Sequence, residues 1–378
     1  MNVLHVTPGF HPAHIYGGPI ESVYQLCRHL GLAGCTVQVL TTDANGPHAV
    51  LEVDTRSPMP IEKNVTVRYC PRIFPHTVST ALLRHLPSYI RQADVVHLTS
   101  VYSFPTIPTL ALCNLLGKPV VWSPRGSFQR WEGSRRIIAK SWWDAICKSV
   151  APSRLVLHTT SDQEARETGC RMAGIELAII PNGVVVPEAL SHETGSGLLR
   201  LLYIGRLHPI KGIENLLRAC RILNDRHGRG WALTIAGAGD AAYVNGLREL
   251  MAGLALGDQV TFLGEVAGEA KQKLFPAADV LVLPSFSENY GLVVAEALAH
   301  GVPVIAGSGT PWAELEKRMC GLWVDNSPES LAGAISRIGT MPLQEMGASG
   351  RAWMKAESGW DRIAENMFDL YKTLAGCS

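Results

Sequence analysis

Two glutamates in the second half of this chain are spaced so that both could bind one polar ligand. The segment SENYGLVVAEALAHG, residues 287–301, places Glu288 just before a predicted helix and Glu296 two turns inside it. Because a carboxylate accepts hydrogen bonds from hydroxyl groups, Glu296 suits the two hydroxyls of a ribose and Glu288 suits a sugar. The spacing predicts two hydroxyl-rich moieties held about a diphosphate apart, although each glutamate alone could instead be a helix-capping or salt-bridged acid.

Two cations precede these glutamates at the end of another predicted strand. In YIGRLHPIKG, residues 203–212, the strand ends at Arg206 and a helix begins near Lys211. Helix-terminal amides favour an anion, and Arg and Lys add charge and donors, so we predict a phosphate or diphosphate here. The amides after Gly291 form a second such nest. Either cation alone could also be an ordinary surface residue.

The elements that would position these groups are parallel sheets. Apolar runs that do not alternate with polar residues are separated by helix-length segments in both halves, which is typical of parallel strands covered on both faces. We therefore predict two doubly wound α/β domains, 1–187 and 188–357, joined by a polar linker at 188–197, with a last helix in 358–378. The carboxyl ends of the two sheets should face one another across a hinge, and substrates should bind in the cleft. The predicted strands are 2–7, 36–42, 94–100, 119–124, 154–160, 178–181, 201–206, 233–239, 259–265, 280–285, 303–308 and 321–325.

Composition narrows the class of protein. The chain has 378 residues and a net charge of +1, which gives no general attraction to nucleic acid. Its nine cysteines lack a C-x-x-C pair, so we expect reduced thiols in the core. With neither a basic signal segment nor a long apolar run, we expect a cytoplasmic protein. No Asp-x-Asp occurs, and no histidine pair has metal-ligand spacing together with a carboxylate, so we expect no metal site.

Several segments in register resemble one known family. GRLHPIKG, FLGEV, VLVLPSFSENYGLVVAEALAHGVPVIA and the glycine pair of YGGP (16–19) together resemble the nucleotide-sugar-dependent glycosyltransferases of family 4, whose Glu-x7-Glu signature matches at Glu288 and Glu296. The resemblance covers essentially the whole chain. It implies an α/β fold of the GT-B type, with two Rossmann-like domains facing across a cleft and the last helix crossing back to the first domain.

The resemblance also implies a role for individual residues. Arg206 and Lys211 would hold the donor diphosphate, Glu296 would take the ribose, and Glu288 would lie by the transferred sugar. The glycine pair would let backbone approach the diphosphate, the base would lie along 237–239 and 264–266, and amides of the 289–292 turn would bind the sugar and phosphate. The further donor-binding residues so implied are Gly17, Gly18, Gly237, Gly239, Gly264, Val266, Asn289, Tyr290, Gly291 and Leu292.

The implied reaction retains anomeric configuration and uses no metal or cofactor. The leaving diphosphate oxygen removes the acceptor proton while Arg206 and Lys211 stabilise its charge. One departure from the family concerns WSPRGSF (122–128), where Arg125 stands at the position of a usual histidine. A guanidinium cannot act as a general base, so we expect Arg125 to bind a phosphate or sugar oxygen, or else to have a structural role in the turn.

The acceptor is less clearly encoded. The resemblance favours a glycan or lipid-linked acceptor in bacterial surface polysaccharide assembly. In residues 128–150, Trp131, Trp142 and Trp143 are interspersed with basic residues, which predicts a helix lying on anionic lipid at the inner face of the cell membrane. Burial of the same apolar face in the first domain is the alternative. That face comprises Ile138, Trp142, Ala145, Ile146 and Ser149.

Other functions remain open on the sequence. GAGDAA (237–242), with Glu265 downstream, satisfies a dinucleotide-binding pattern, so an NAD-dependent oxidoreductase is one alternative, and a GT-B nucleotide-sugar epimerase is a nearer one. Three histidines at predicted strand ends, His5, His97 and His158, could contact an acceptor or be hydrogen-bonded in the core.

Overall fold

The computed structural model describes residues 1–73, 77–129, 137–190, 197–227 and 230–376. Most of the predicted linker, and Arg130, Trp131, Arg135 and Arg136 of the predicted lipid-binding segment, lie outside the described residues. The chain forms two compact units, Met1–Gly183 with Trp360–Ser378, and Val184–Gly359. The second unit starts at Val184 and not at 188, because Val184 is buried in its core and donates its amide to the carbonyl of Ser358 at 2.7 Å.

Helices and strands alternate along both units. The strands are β1 Asn2–Val6, β2 Thr36–Thr42, β3 Ala44–Asn45, β4 Ala49–Val50, β5 Met59–Glu62, β6 Val65–Cys70, β7 Val95–Thr99, β8 Val120–Ser123, β9 Leu155–Thr159, β10 Glu176–Ile179, β11 Leu199–Ile204, β12 Trp231–Ala236, β13 Val260–Gly264, β14 Val280–Leu283, β15 Val304–Gly307 and β16 Gly321–Val324. The helices are α1 Gly18–Leu32, α2 Thr80–Gln92, α3 Thr106–Leu115, α4 Ile137–Val150, α5 Asp162–Arg171, α6 Ile213–His227, α7 Ala241–Gly253, α8 Gly268–Gln272, α9 Leu292–Ala299, α10 Glu314–Lys317, α11 Pro328–Ile338, α12 Leu343–Glu357 and α13 Trp360–Ala375.

The first unit is built on an eight-stranded sheet in the order β10-β9-β8-β7-β1-β2-β6-β5, parallel except at the β5 edge. The chain moves outward from β1 in one direction through β2 and β6, and in the other from β7 onward. The carboxyl ends of β1 and β7 therefore form the switch point, where ligands bind in such sheets. The sequence pattern predicted neither β6 nor α2. In β6, VTVRYC alternates apolar and polar residues, so it does not form the continuous apolar run from which the other strands were predicted.

The second unit has a six-stranded, fully parallel sheet in the order β13-β12-β11-β14-β15-β16. This is the doubly wound arrangement, whose switch point lies between β11 and β14. Every predicted strand of this unit is present, and each ends one to three residues earlier than predicted. The trimmed residues, among them Gly205 and Pro284, belong to the loops that follow the strands.

The last helix belongs to the first unit. Helix α13 packs against α1, and its first residue, Trp360, is buried against Gly183, where an added Cβ would lie 2.3 Å from the indole ring. Further along α13, the hydroxyl of Tyr371 is hydrogen-bonded to Nδ1 of His97 at 2.5 Å. The helix thus closes the core beneath β7. Among the described residues, no helix has the length and hydropathy that crossing a membrane requires.

The three histidines at strand ends are buried members of this core. His97 Nε2 and His158 Nδ1 both bond Ser123 Oγ, at 2.6 and 2.7 Å, and His5 Nε2 bonds Thr99 Oγ1 at 2.8 Å. Burial lowers the pKa of His5 and of His158 to about 3, with the charge of Arg125 adding to the effect, and burial lowers the pKa of His97 well below its usual value. These imidazoles are therefore neutral structural groups at neutral pH.

These buried histidines should make the first unit acid-sensitive. Below about pH 6.5 the unfolded chain binds protons at these positions and the folded chain does not, so the free energy of unfolding falls by up to about 1.4 kcal/mol per pH unit for each histidine. Their stabilising contribution is complete above that pH and is lost as pH falls toward the folded pKa. Urea denaturation followed in steps from about pH 7 to pH 4.5 measures this slope.

The variant His158→Gln keeps hydrogen-bonding capacity but cannot titrate, so its slope should be shallower than that of the wild type. His48→Gln, at an exposed histidine, should leave the slope unchanged. Equal slopes for His158→Gln and wild type would contradict the assignment.

Candidate functional site

The two predicted cations lie in the loop after β11. Arg206 is exposed, and its guanidinium has no hydrogen-bond or ion-pair partner among the described residues. Lys211 ends a single 3-10 turn, Pro209–Lys211, and α6 begins at Ile213, so Lys211 does not open the helix as predicted. The two charges act on a common neighbour: after burial, Arg206 and then Lys211 lower the pKa of His208.

Glu288 lies in the loop after β14 and is bound to Lys211. Lys211 Nζ lies 2.5 Å from Glu288 Oε1, which also accepts a hydrogen bond from Ser285 Oγ at 2.8 Å. The two side chains are only 16% and 12% exposed, so the pair is largely removed from water. A carboxylate and an ammonium from loops that are 77 residues apart in sequence are thus joined at the switch point of the sheet.

Glu296, in the second turn of α9, forms a second ion pair. Lys271 Nζ lies 2.6 Å from both carboxylate oxygens of Glu296. Lys271 belongs to the short helix α8 after β13. This lysine was not predicted from the sequence, where its only signal is a basic residue in the segment after a strand. The alternative of a salt-bridged acid is therefore realised at both glutamates.

The turn between the glutamates is fixed by packing. Gly291 caps α9 with φ of +76°, and a Cβ there would lie 3.2 Å from Trp312 Nε1, so glycine is required. The same Nε1 donates to the carbonyl of Tyr290 at 2.5 Å. The ring of Tyr290 is buried against Trp312, and burial raises its pKa to about 12. Because its ring is buried, Tyr290 can offer only backbone groups to a ligand at this turn. Asn289 and Leu292, on either side of the Tyr290–Gly291 pair, are half-buried.

The glycines after β12 and β13 permit close backbone contact. Added Cβ atoms at Gly237 and Gly239 would lie 1.9 Å from the carbonyl oxygen of Gly205 and 2.1 Å from that of Leu207. Gly237 also donates its amide to the carbonyl of Gly264 at 2.7 Å. Three strand-end loops are thereby held together. Gly264, with φ of +77°, has open space where a side chain would be, and Val266 packs against the unit's core.

The glycine pair of the first unit occupies the turn before α1. Gly17 has φ of +75°, a conformation that favours glycine, and α1 starts at Gly18. No atom of the described residues lies within 4 Å of an added Cβ at either position, and both residues are exposed. The space above this turn is therefore open.

Arg125 lies in the turn after β8 and lines a small cavity. Its φ is +53°, its Nη1 donates to Asn182 Oδ1 at 2.6 Å, and its buried Nε has no partner among the described residues. The adjacent amide of Gly126 donates to the buried Glu164. The cavity, of about 200 Å³, is at the switch point of the first unit, with Thr7 at the end of β1 and Thr99 at the end of β7 in its wall. The guanidinium is thus held at a site able to take a phosphate or a sugar ring.

Helix α4 exposes the apolar face that the sequence predicted, so the alternative of burial is wrong. Ile138 is 76% exposed, Trp142 70% and Ile146 43%, and Ala145 and Ser149 are exposed as well. The opposite face is anchored, because Trp143 Nε1 donates to the carbonyl of Val101 at 2.8 Å and Asp144 is paired with Arg171.

Two family models match the chain in succession. Residues 16–186 match "Glycosyltransferase Family 4" and residues 191–353 match "Glycosyl transferases group 1". The dinucleotide-binding alternative is weakened, because 237–242 follows the second strand of its unit, whereas that fingerprint follows the first.

Individual proteins and solved structures that are similar to this chain also include glycosyltransferases. An uncharacterised glycosyltransferase of Methanocaldococcus jannaschii is 35% identical over 180 residues, which are 46% of this chain and 44% of that protein, so the matched part spans less than half of this relative. A D-inositol 3-phosphate glycosyltransferase of Pseudarthrobacter chlorophenolicus is 28% identical over 97% of this chain and 93% of its own length. The crystal structure of Anabaena HepE in complex with UDP superposes with a TM-score of 0.75 at 16% identity, covering 99% of this chain and all of that one.

The contact between the loops after β11 and β12 should be intolerant of a side chain. Gly239→Ala would force a methyl group against the carbonyl of Leu207, so we expect a loss of about 1–3 kcal/mol in the free energy of unfolding. Thermal and chemical denaturation of the purified variant measure it.

Gly246→Ala is the matched control, because Gly246 lies inside α7 with no atom within 4 Å of an added Cβ. That change should stabilise the protein by up to about 1 kcal/mol, since alanine is the better helix former. A Gly239→Ala variant as stable as the wild type would show that the loops do not depend on this contact.

Proposed function

The chain belongs to glycosyltransferase family 4 and has the GT-B fold, and on this premise we propose that it transfers a sugar from a nucleoside-diphosphate-sugar to a glycan or lipid-linked acceptor. The observation that carries the proposal is the convergence of Arg206, Lys211 and Glu288 from the two loops at the switch point of the second unit. We extend it to a reaction with retention of configuration, in the assembly of bacterial surface polysaccharide.

The donor diphosphate is the ligand that best satisfies these cations. Lys211 already has Glu288 as a counter-charge, whereas the guanidinium of Arg206 is exposed and unpaired among the described residues. A planar guanidinium binds phosphate oxygens in a bidentate manner, so Arg206 is the principal anchor and Lys211 adds a second charge. UDP binding by HepE, which shares the fold, supports a nucleoside diphosphate as this ligand.

In the proposed chemistry the leaving group serves as the base. A bond forms between the acceptor oxygen and the anomeric carbon, the bond from that carbon to the diphosphate oxygen breaks, and the acceptor proton passes to the departing oxygen. Fixed charges aimed at the developing negative charge lower the barrier, which is the role given to Arg206 and Lys211 in place of a metal ion. Glu288, held by Lys211 and Ser285, is positioned to accept from a sugar hydroxyl.

Glu296 retains its proposed role as the ribose ligand, with Lys271 as a positioning residue. An ionised carboxylate offers about four acceptor sites, and one ammonium occupies only part of this capacity. Lys271 holds both oxygens, so the carboxylate is fixed in orientation before a nucleotide arrives. The base would then lie along the backbone of 237–239 and 264–266, near Gly237, Gly239, Gly264 and Val266.

The acceptor is assigned to the first unit. The cavity beside Arg125 combines threonine hydroxyls with a guanidinium whose Nε has no hydrogen-bond partner among the described residues. This chemistry suits an acceptor that carries a phosphate or several hydroxyls. One relative is named for D-inositol 3-phosphate, an acceptor of that class. The proposed roles of Gly17 and Gly18 toward the diphosphate rest on the open space above their turn.

The exposed face of α4 supports contact with an anionic membrane. Isoleucine and tryptophan side chains are solvent-exposed along one side of the helix, and Lys148 is exposed near its end. Aromatic and aliphatic groups beside lysine are the combination that lies at the boundary of anionic lipid headgroups. A protein bound there would meet a lipid-linked acceptor at the membrane surface.

A nucleotide panel tests the donor site. We expect one nucleoside diphosphate among UDP, GDP and ADP to raise the melting temperature, because a ligand of the folded state stabilises by mass action. Arg206→Ala should abolish this shift and lower the transfer rate by about 100-fold or more, since it removes the main charge on the leaving group. Differential scanning fluorimetry and sugar transfer from the matching nucleotide-sugar measure the two effects.

Arg221→Ala, at an exposed arginine of α6 paired with Asp225, is the control and should behave as wild type. No shift with any nucleotide, or an Arg206→Ala variant of normal rate, would exclude the proposed donor site. Release of an epimerised sugar without acceptor would instead identify an epimerase.

Vesicle binding tests the α4 face. Trp142→Glu places a charge in the centre of the exposed apolar face, so we expect partition to phosphatidylglycerol-containing vesicles to fall by about tenfold, measured by co-sedimentation.

The matched control is Leu115→Glu, which changes a residue that is 81% exposed at the end of α3 in the same unit. It should partition as wild type does. Wild-type protein that stays in solution, or equal losses for both variants, would exclude a specific role for α4.

A further inference from the structure

Three potential metal ligands converge beside the glycine turn of the first unit. His11 and His14 lie in the segment between β1 and α1, and Glu21 lies in the first turn of α1. One ligand atom from each lies within 4.8 Å of the other two, and no other group of this kind occurs among the described residues. This group contradicts the expectation of no metal-ligand cluster, because a contact between residues 14 and 21 depends on how the turn folds.

The rings of His11 and His14 are not engaged by other hydrogen bonds within the part of the chain that the structure describes. Neither ring makes a side-chain hydrogen bond among the described residues, and His11 Nδ1 is buried without a partner. The ring of His11 is fixed by stacking on Tyr24, with centroids 4.4 Å apart. A buried polar atom normally has a partner, so the unsatisfied Nδ1 of a histidine that belongs to this cluster requires an explanation.

The carboxylate of Glu21 is held in one orientation by a neighbouring side chain. One of its oxygens accepts from Gln25 Nε2 at 2.8 Å, which orients the carboxylate from the next turn of α1. Such an outer hydrogen bond is characteristic of metal-binding carboxylates. The side chain is partly buried, whereas His14 is exposed and can adjust.

We propose that His11, His14 and Glu21 bind a divalent transition metal ion of the zinc type. Two imidazoles and a carboxylate match the preferences of Zn²⁺ and not those of Mg²⁺ or Ca²⁺. Tetrahedral zinc with bonds of about 2.0–2.1 Å requires ligand atoms about 3.3 Å apart, so the cluster must contract, which the exposed 3-10 turn carrying His14 permits. Three protein ligands leave a fourth position for water or another oxygen.

Metal binding at this position would restrain the glycine turn of the first unit. Gly17 and Gly18 lie between His14 and Glu21, so a bound ion ties both ends of the glycine turn to one point. The turn would lose flexibility, and α1 would be joined to the segment after β1. This inference does not depend on sugar transfer, because the ligands belong to the first unit and include none of the proposed catalytic residues.

Direct binding of zinc and cobalt tests the proposal. Isothermal titration of the full chain with Zn²⁺ should show one saturable site, and the affinity should fall by at least about tenfold in His14→Ala and in Glu21→Gln. Bound Co²⁺ should give the visible spectrum of nitrogen and oxygen coordination, without the charge-transfer band of a thiolate. Hydrogen exchange of residues 11–21 should slow when zinc is added.

His48→Ala, at an exposed histidine outside the cluster, should bind zinc as the wild type does, and circular dichroism shows that each variant is folded. Cys170 is an exposed thiol that could bind zinc adventitiously, and a thiolate band in the cobalt spectrum would reveal it. Wild-type protein without a site, or affinity unchanged in both His14→Ala and Glu21→Gln, would overturn the proposal.

Discussion

Close backbone contact at the carboxyl end of the second sheet is the constraint on which the candidate site depends. Gly237 and Gly239 let the loop after β12 touch the carbonyls of Gly205 and Leu207, and Gly212 lets the loop after β11 come within contact of the carbonyl of Pro284. These contacts leave no room for a methyl group. They fix the two loops that carry Arg206, Lys211 and Glu288, so the charges are placed by glycine packing and not by the helices themselves.

The charged side chains of the site are arranged mainly as ion pairs on these closely packed loops. Two carboxylates and two ammonium groups are held as close pairs, Lys211 with Glu288 and Lys271 with Glu296, with most of each side chain removed from water. Pairing offsets the cost of desolvating each charge, which an isolated buried charge would bear in full. The guanidinium of Arg206 stands outside these pairs. Among the described residues, this end of the sheet therefore combines the exposed guanidinium of Arg206 with two carboxylates whose orientation is fixed by lysine partners.

The first unit uses its polar residues differently. The strand-end histidines are sealed in the core by Ser123, Thr99 and Tyr371. Of the two roles that the sequence left open, acceptor contact and hydrogen bonding in the core, the structure shows the second. Arg125, two residues after Ser123, has a left-handed backbone conformation and a buried Nε without a partner in the described part of the chain. Strained residues of this kind concentrate at functional sites, where surrounding structure maintains them. The unit thus separates a closed polar core from an open cavity at the same end of the sheet.

The residue pattern alone predicts the two doubly wound sheets, the family and the loops that carry Arg206, Lys211, Glu288 and Glu296, because apolar runs and strand-end motifs are local features of the chain. It missed β6, whose alternating residues belong to a half-covered strand near the sheet edge. Three features are seen only in the folded chain: Lys271 binds Glu296, the apolar face of α4 is exposed, and His11, His14 and Glu21 converge. Each depends on which side of an element meets a neighbour, and spacing along the chain does not specify that.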